Sequence, residues 1–255
     1  MATWQDFDAE VNRWAEMGRP VTLWWRDDDA TRVTPELIRL VELSRETRVP
    51  LAVAVVPRDI QPGLQEFLAR FPTVSVLQHG YSHANHAGPE EWSEEFGPHR
   101  SREERLAELS LGRRRLARFE RFIPVLVPPW NRFPDDLVAD LPGIGLIGMA
   151  AAGVRTSGEP VPGLRRVDIH ADIIEWTRGG YLGDAAVLAQ VVTHLAERRT
   201  GRADIDEPTG LMTHHLYHDE GCWRFIREFA LRTRANPAIR WPSIREIFHD
   251  PQAEI

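Results

Sequence analysis

Short runs of apolar, β-prone residues at 21–25, 51–56, 74–77, 124–127, 144–148, 164–169 and 210–213 alternate with stretches whose apolar positions recur at helical spacing. This alternation predicts βαβ units around a parallel sheet, and seven strands with helices between them favour a barrel over a sandwich. Helix boundaries are signalled between the runs. Thr34 before Pro35 predicts an N-cap and first helical residue, opening a helix to about Glu46. Ser101 with Glu104 forms a capping-box pattern, followed by Leu106, Leu109 and Leu116 on one helical face. Asp184 is expected to cap a helix running to Arg199 and stopping near Gly201, and a further helix is expected over 222–233. Gly, Ser and Pro cluster at 153–163, a stretch too short for a domain boundary, so one domain over 1–255 is expected.

Composition changes this picture little. A hydrophobic share of 42% and a charged share of 27% allow an ordinary core, so any bound metal is expected to be functional rather than structural. With 31 basic against 38 acidic residues the net charge is −7, and Arg113, Arg114 and Arg115 sit within an amphipathic helix pattern. Nucleic acid and anionic membrane are therefore not expected as partners. The single cysteine, Cys222, excludes an intrachain disulfide. Residues 1–10 carry Asp6, Asp8 and Glu10 in place of an apolar export segment, and no apolar run approaches the ~18 residues of a membrane span, so a cytoplasmic location is expected.

Three unusual clusters fall where strands are predicted to end, which in a parallel barrel is where chemistry is placed. Arg26-Asp27-Asp28-Asp29 sets three carboxylates side by side, and their mutual repulsion is relieved most readily by a cation or a shared proton. His79-Gly80-Tyr81-Ser82-His83 spaces two imidazoles four residues apart, which on a helix would face one metal. His214-His215-Leu216-Tyr217-His218-Asp219 supplies histidines suited to proton transfer at neutral pH. Seven of the ten histidines belong to these clusters, with His86, or to His170 beside Asp172, so a joint metal site explains them better than three separate structural roles.

Together these segments resemble the polysaccharide deacetylase family, also called the NodB-homology or carbohydrate esterase family 4 group, from about Val21 to Asp219. Asp28-Asp29-Ala30 is similar to the family's Asp-Asp-Gly, implying Asp28 as general base and Asp29 as metal ligand, with Asp27-Asp28 as the alternative register. His79 and His83 match the two metal-binding histidines. Val127-Pro128-Pro129-Trp130-Asn131-Arg132 resembles Arg-Pro-Pro-Tyr-Gly, whose arginine orients the catalytic aspartate. Here Val127 holds that position, leaving Arg26 or Arg132 for the role, while Pro129, Trp130, Asn131 and Arg132 become candidate substrate contacts. Asp172-Ile173-Ile174-Glu175-Trp176 is similar to Asp-x-x-Asp-Trp, and Trp176 would stack on a sugar ring. Met212-Thr213-His214 is similar to Leu-x-His and implies His214 as catalytic acid, with His215 as the alternative.

The resemblance implies an α/β fold, a distorted (β/α) barrel of about seven parallel strands. It also implies metal-assisted removal of an N-acetyl or similar acyl group from an amino sugar or glycoconjugate. Asp28 would deprotonate the attacking water, His214 would protonate the departing nitrogen, and a backbone N–H near Tyr81 or Ser82 would stabilise the oxyanion. Mixed histidine and carboxylate ligands favour Zn2+, with Co2+, Ni2+ or Mn2+ as substitutes. Two other readings use the same residues: hydrolysis of another linear or cyclic C–N amide, and sugar binding without turnover.

Overall fold

The computed structural model of the protein describes residues 2–248, so the ends of the expected domain, Met1 and 249–255, lie outside the described residues. The elements run α1 (Trp4–Glu16), β1 (Val21–Ala30), α2 (Pro35–Thr47), β2 (Leu51–Val55), α3 (Leu64–Leu68), β3 (Val74–His79), α4 (Arg102–Leu116), β4 (Phe122–Val127), α5 (Asp135–Val138), β5 (Gly148–Met149), β6 (Arg165–Arg166), β7 (Ala171–Asp172), α6 (Asp184–Arg199), β8 (Thr209–Thr213), α7 (Glu220–Ala235), β9 (Ile239–Arg240) and α8 (Ile244–Ile247). The strands form one sheet in the order β6-β5-β4-β3-β2-β1-β8-β7, with β9 beside the start of β1, and every pairing is parallel. The sheet curls into a distorted barrel with helices outside it. No helix among the described residues is long and apolar enough to cross a membrane.

Strands covered on both faces read as continuous apolar runs, and all five residues of β2 are buried. Alternate side chains divide between two cores. Val53 and Val55 face the helix layer with Leu37, Leu40, Phe225 and Phe229, whereas Ala52 and Ala54 face the barrel interior with Leu77, Val125 and Val127. Trp25 and Trp24 split the same way on β1. Helix α2 starts as its sequence predicts, Thr34 accepting from the Leu37 N–H, and the Ser101 capping box of α4 is formed in both directions.

The structure departs from the sequence expectation in several elements. Among the described residues the sheet adds two strands to the seven expected, β7 and β9, both two-residue pairings too short to produce a period-2 signal. The expected strand 144–148 shrinks to β5, because Ile144 closes a 3-10 turn begun by Pro142 and Gly145 follows with φ 80°. Only Arg165 and Arg166 of 164–169 enter the ladder as a strand. Helix α1 was not anticipated; its Thr3–Asp6 capping box and its buried Phe7, Val11 and Trp14 lie among acidic residues that mask the pattern. Helix α6 is entered through Gly183, with Asp184 as its first residue rather than its cap, and α7 starts earlier, its first turn capped by Asp219. His79 and His83 do not share a helix: His79 ends β3 and His83 lies in the loop beyond it.

Candidate active site

Three consecutive aspartates on one strand would alternate between faces, and the structure uses this and then breaks it. Arg26 and Asp28 point into the barrel mouth, as residues two apart should. Asp27 points the other way, where it accepts from the Thr213 hydroxyl (2.7 Å), the His215 N–H (3.0 Å) and the His215 ring at Nδ1 (2.5 Å). Asp29 would follow Asp27, but it adopts φ 73° and the β1–β2 register slips between Asp27 and Ala30. Aspartate tolerates this left-handed conformation better than most residues. The kink brings the Asp29 side chain round beside Asp28, and both line a cavity of about 530 Å3.

In that cavity Asp29 Oδ1 lies 3.1 Å from His79 Nε2 and 3.3 Å from His83 Nε2. Two ligands at about 2.0 Å from a tetrahedral zinc are about 3.3 Å apart. His79 Nδ1 faces the Val127 carbonyl at 3.0 Å, which can only accept, so the ring proton sits on Nδ1 and Nε2 turns a lone pair toward the carboxylate. Such a contact needs a positive centre between its members. Without a metal a proton serves: burial pushes the His79 pKa down, but the hydrogen bond to Asp29 and the charges of Asp28 and Asp29 override it, and the net shift is upward. Asp29 is correspondingly held well below the usual carboxylate range, His79 overcoming the opposing effect of burial. His83 is shifted downward, by burial and by His79. One proton satisfies one imidazole; a divalent cation would satisfy both, and the donor set fits one.

Next to this triad, Arg26 is fully buried and grips Asp28 with two nitrogens, Nη2 donating to Oδ2 (2.9 Å) and Nε lying 2.9 Å from Oδ1. The guanidinium is fixed in turn by the Ala150 carbonyl (2.8 Å) and Asn131 Oδ1 (2.8 Å). Of the two arginines left open by Val127, Arg26 is therefore the one on Asp28. Arg132 reaches the cavity wall but bonds the Ser93 carbonyl and lies over the Trp92 ring. Trp130, Asn131 and Arg132 line the cavity, and Pro129 is buried behind it against Gly80. Non-glycine residues with positive φ concentrate here: Asp29, His83, Trp130 and Asn131 all line the cavity, and among the described residues only Arg48 lies elsewhere. Strain of this kind persists where the surroundings over-determine the backbone.

On the opposite wall His214 Nε2 stands 4.0 Å from Asp28 Oδ2, and its ring meets the half-exposed Trp176 edge-on at 4.7 Å. The Trp176 indole N–H donates to Asp172 Oδ2 (2.7 Å), and burial, ahead of the local bonds and charges, raises the Asp172 pKa. His215 is turned away onto Asp27. Burial disfavours both charges of that pair, yet their mutual attraction prevails, lowering Asp27 and raising His215. The Asp27-Asp28 register and the His215 alternative thus point to a buried structural ion pair, not to the cavity. Glu175 is half-buried and bonds Thr177, and His86 and His218 do not line the cavity.

One expectation is overturned outright. The N–H groups of Tyr81 and Ser82 are not free for an oxyanion, because both donate to Glu95 (3.2 and 2.6 Å). Glu95, fully buried, escaped the sequence reading because it lies thirteen residues beyond Ser82 in a loop without pattern. A second histidine-carboxylate group, His170, His194 and Glu207, also converges. Its two rings stack 3.3 Å apart and 10° from parallel, so their in-plane lone pairs cannot meet at one ion. His170 Nδ1 also accepts from the Gly210 N–H (3.0 Å), which leaves the proton, not a lone pair, on Nε2.

No family model matches the sequence, and no curated protein matches it. Solved structures do. A protein from Mycobacterium smegmatis, provisionally named a polysaccharide deacetylase, superposes with a TM-score of 0.62 at 15% identity over 92% of this chain and 91% of its own. The family 4 carbohydrate esterase from Streptomyces lividans gives 0.56 at 13% identity over 88% and 93%. The chain has the polysaccharide deacetylase fold. This deacetylase fold does not by itself fix a reaction, since the 4-alpha-glucanotransferase from Thermococcus litoralis matches with 0.54 at 12% identity, over 91% of this chain and 40% of its own.

Proposed function

We propose that the protein is a divalent-metal-dependent hydrolase, built as one catalytic domain, that removes an acetyl or similar acyl group from the nitrogen of an amino sugar or glycoconjugate. The observation that carries this reading is the meeting of Asp29 Oδ1, His79 Nε2 and His83 Nε2 at ligand spacing beside Asp28. Those three residues would hold the ion, Zn2+ being the first choice for mixed imidazole and carboxylate donors. A divalent cation bound there supplies a Lewis acid that polarises the acyl oxygen and acidifies water.

The chain's own groups divide the remaining work. Asp28 has both oxygens within 2.9 Å of Arg26, and its Oδ1 is buried against the guanidinium, so Oδ2, which also faces His214 across the cavity, is the oxygen placed to take a proton from attacking water. His214, across the cavity, protonates the departing nitrogen; each such proton transfer contributes roughly 10²–10⁴ in rate. With Tyr81 and Ser82 committed to Glu95, the backbone donor left in the wall is Trp130, whose N–H opens a 3-10 turn and has no acceptor among the described residues. The half-exposed face of Trp176 and the Asn131–Arg132 segment supply stacking and polar contacts for a sugar ring.

The test is acetate release from N-acetylglucosamine and its oligomers by metal-stripped protein, with and without added zinc. Release that requires zinc is expected. Zinc binding without acetate from any of these substrates would move the reading to another C–N amide bond or to sugar binding alone.

A further inference from the structure

His79 and His83 reach Asp29 by different means. His79 ends a central strand and is held by the Val127 carbonyl. His83 sits four residues on, in an irregular loop, at φ 54°, and its ring makes no hydrogen bond that would set its direction apart from its contact with Asp29. Something else must hold the loop between them.

We propose that Glu95 is a positioning residue for the cation site, its carboxylate holding the Gly80–Ser82 turn in the shape that delivers His83 to Asp29. The inference rests on the metal-site reading above. Three donors of the turn converge on this one carboxylate: the Tyr81 N–H (3.2 Å), the Ser82 N–H (2.6 Å) and the Ser82 hydroxyl (2.8 Å). The Ser82 oxygen also accepts from the Ala84 N–H (3.3 Å), carrying the constraint to the residue after His83. Gly80 makes the approach possible: at φ 52° a Cβ there would stand 2.0 Å from Glu95 Oε2 and 2.7 Å from the Pro129 ring. Glu95 is itself anchored. The next residue, Phe96, is buried in a core with Leu109 and Leu126, and its carbonyl accepts from Arg105 of α4 (2.9 Å).

A buried carboxylate is costly unless it is bonded, and no cation lies within ion-pair distance of Glu95 among the described residues. All three donors reach Oε1 and only the Tyr81 N–H also reaches Oε2 (3.2 Å), so a glutamine with its carbonyl at Oε1 sets its amide N–H₂ against the Tyr81 N–H, donor against donor, and loosens the turn.

The test compares Glu95→Gln with Glu207→Gln, an equally buried carboxylate with no hydrogen bond or ion pair to the triad among the described residues, which accepts from the Asp168 N–H (2.9 Å). Zinc affinity is measured by chelator competition, and amide hydrogen exchange at Tyr81 and Ser82 is measured without metal. Glu95→Gln is expected to weaken zinc by about 10- to 100-fold, the range for outer partners of metal ligands, and to speed exchange at both amides. Glu207→Gln is expected to lower thermal stability while changing neither. Ser82→Ala, which removes one of the three donors, is the milder variant and should shift zinc affinity the same way by less. Equal zinc affinity in Glu95→Gln and wild type, or a change no larger than in Glu207→Gln, would overturn the proposal. If wild type binds no zinc, the metal-site reading fails instead, and unchanged exchange at Tyr81 and Ser82 in Glu95→Gln would still refute the clamp.

Discussion

His79→Ala is expected to weaken zinc binding by more than about 100-fold, beyond the loss typical of an outer-shell partner, and with it any hydrolysis. In the proposed cation site the residue would supply one of three ligands, and its ring is almost fully buried, so the substitution also empties volume at the end of β3 and loses the bond to the Val127 carbonyl. His83→Ala separates the two effects. That ring is 29% exposed and, among the described residues, pairs through its nitrogens with Asp29 alone while leaning on the Trp130 ring at 4.4 Å, so its loss should cost less stability while weakening zinc as strongly. Chelator competition and thermal unfolding of both variants check this. Strong zinc binding by either one would remove that histidine from the ligand set.

Arg26 carries the second large effect. Removing one partner of a buried ion pair costs about 3–5 kcal/mol, against a total stability of about 5–15 kcal/mol, so Arg26→Met is expected to fold poorly if at all. Arg26→Lys keeps the charge but not the planar fork, which here meets Asp28, Asn131 and the Ala150 carbonyl at once. The lysine variant should fold and bind zinc, yet lose roughly 10²-fold in kcat with little change in KM, because Asp28 would be misplaced by a fraction of its length. Denaturant unfolding and steady-state kinetics test the two variants together. A lysine enzyme with normal kcat would show that the orientation of Asp28 does not depend on the fork.

Much of the site was legible because its residues are local in sequence: each cluster ends a strand, and parallel strands gather their carboxyl ends at one mouth. His79 and His83 could be paired from spacing alone, although the reason offered, a shared helical face, is not how they meet. The choice among Asp27, Asp28 and Asp29 was not legible, since it turns on one left-handed residue that moves Asp29 to the face of Asp28. The arginine missing at Val127 is hidden in the sequence for a related reason. It lies on β1, two residues before its partner, where strand alternation and not the wall segment sets the contact. Glu95 had no signal, because its role depends on a tertiary approach across a loop. Strands β7 and β9 are likewise set by packing, too short for periodicity to report.

In the proposed site Asp28 works as a base beside a cation it does not bind, and Asp28→Asn isolates that role. With zinc affinity and acetate release measured on equal zinc-loaded samples of the variant and wild type, the account predicts unchanged zinc affinity and a loss of roughly 10²–10⁴ in kcat. Full acetate release by Asp28→Asn would contradict it.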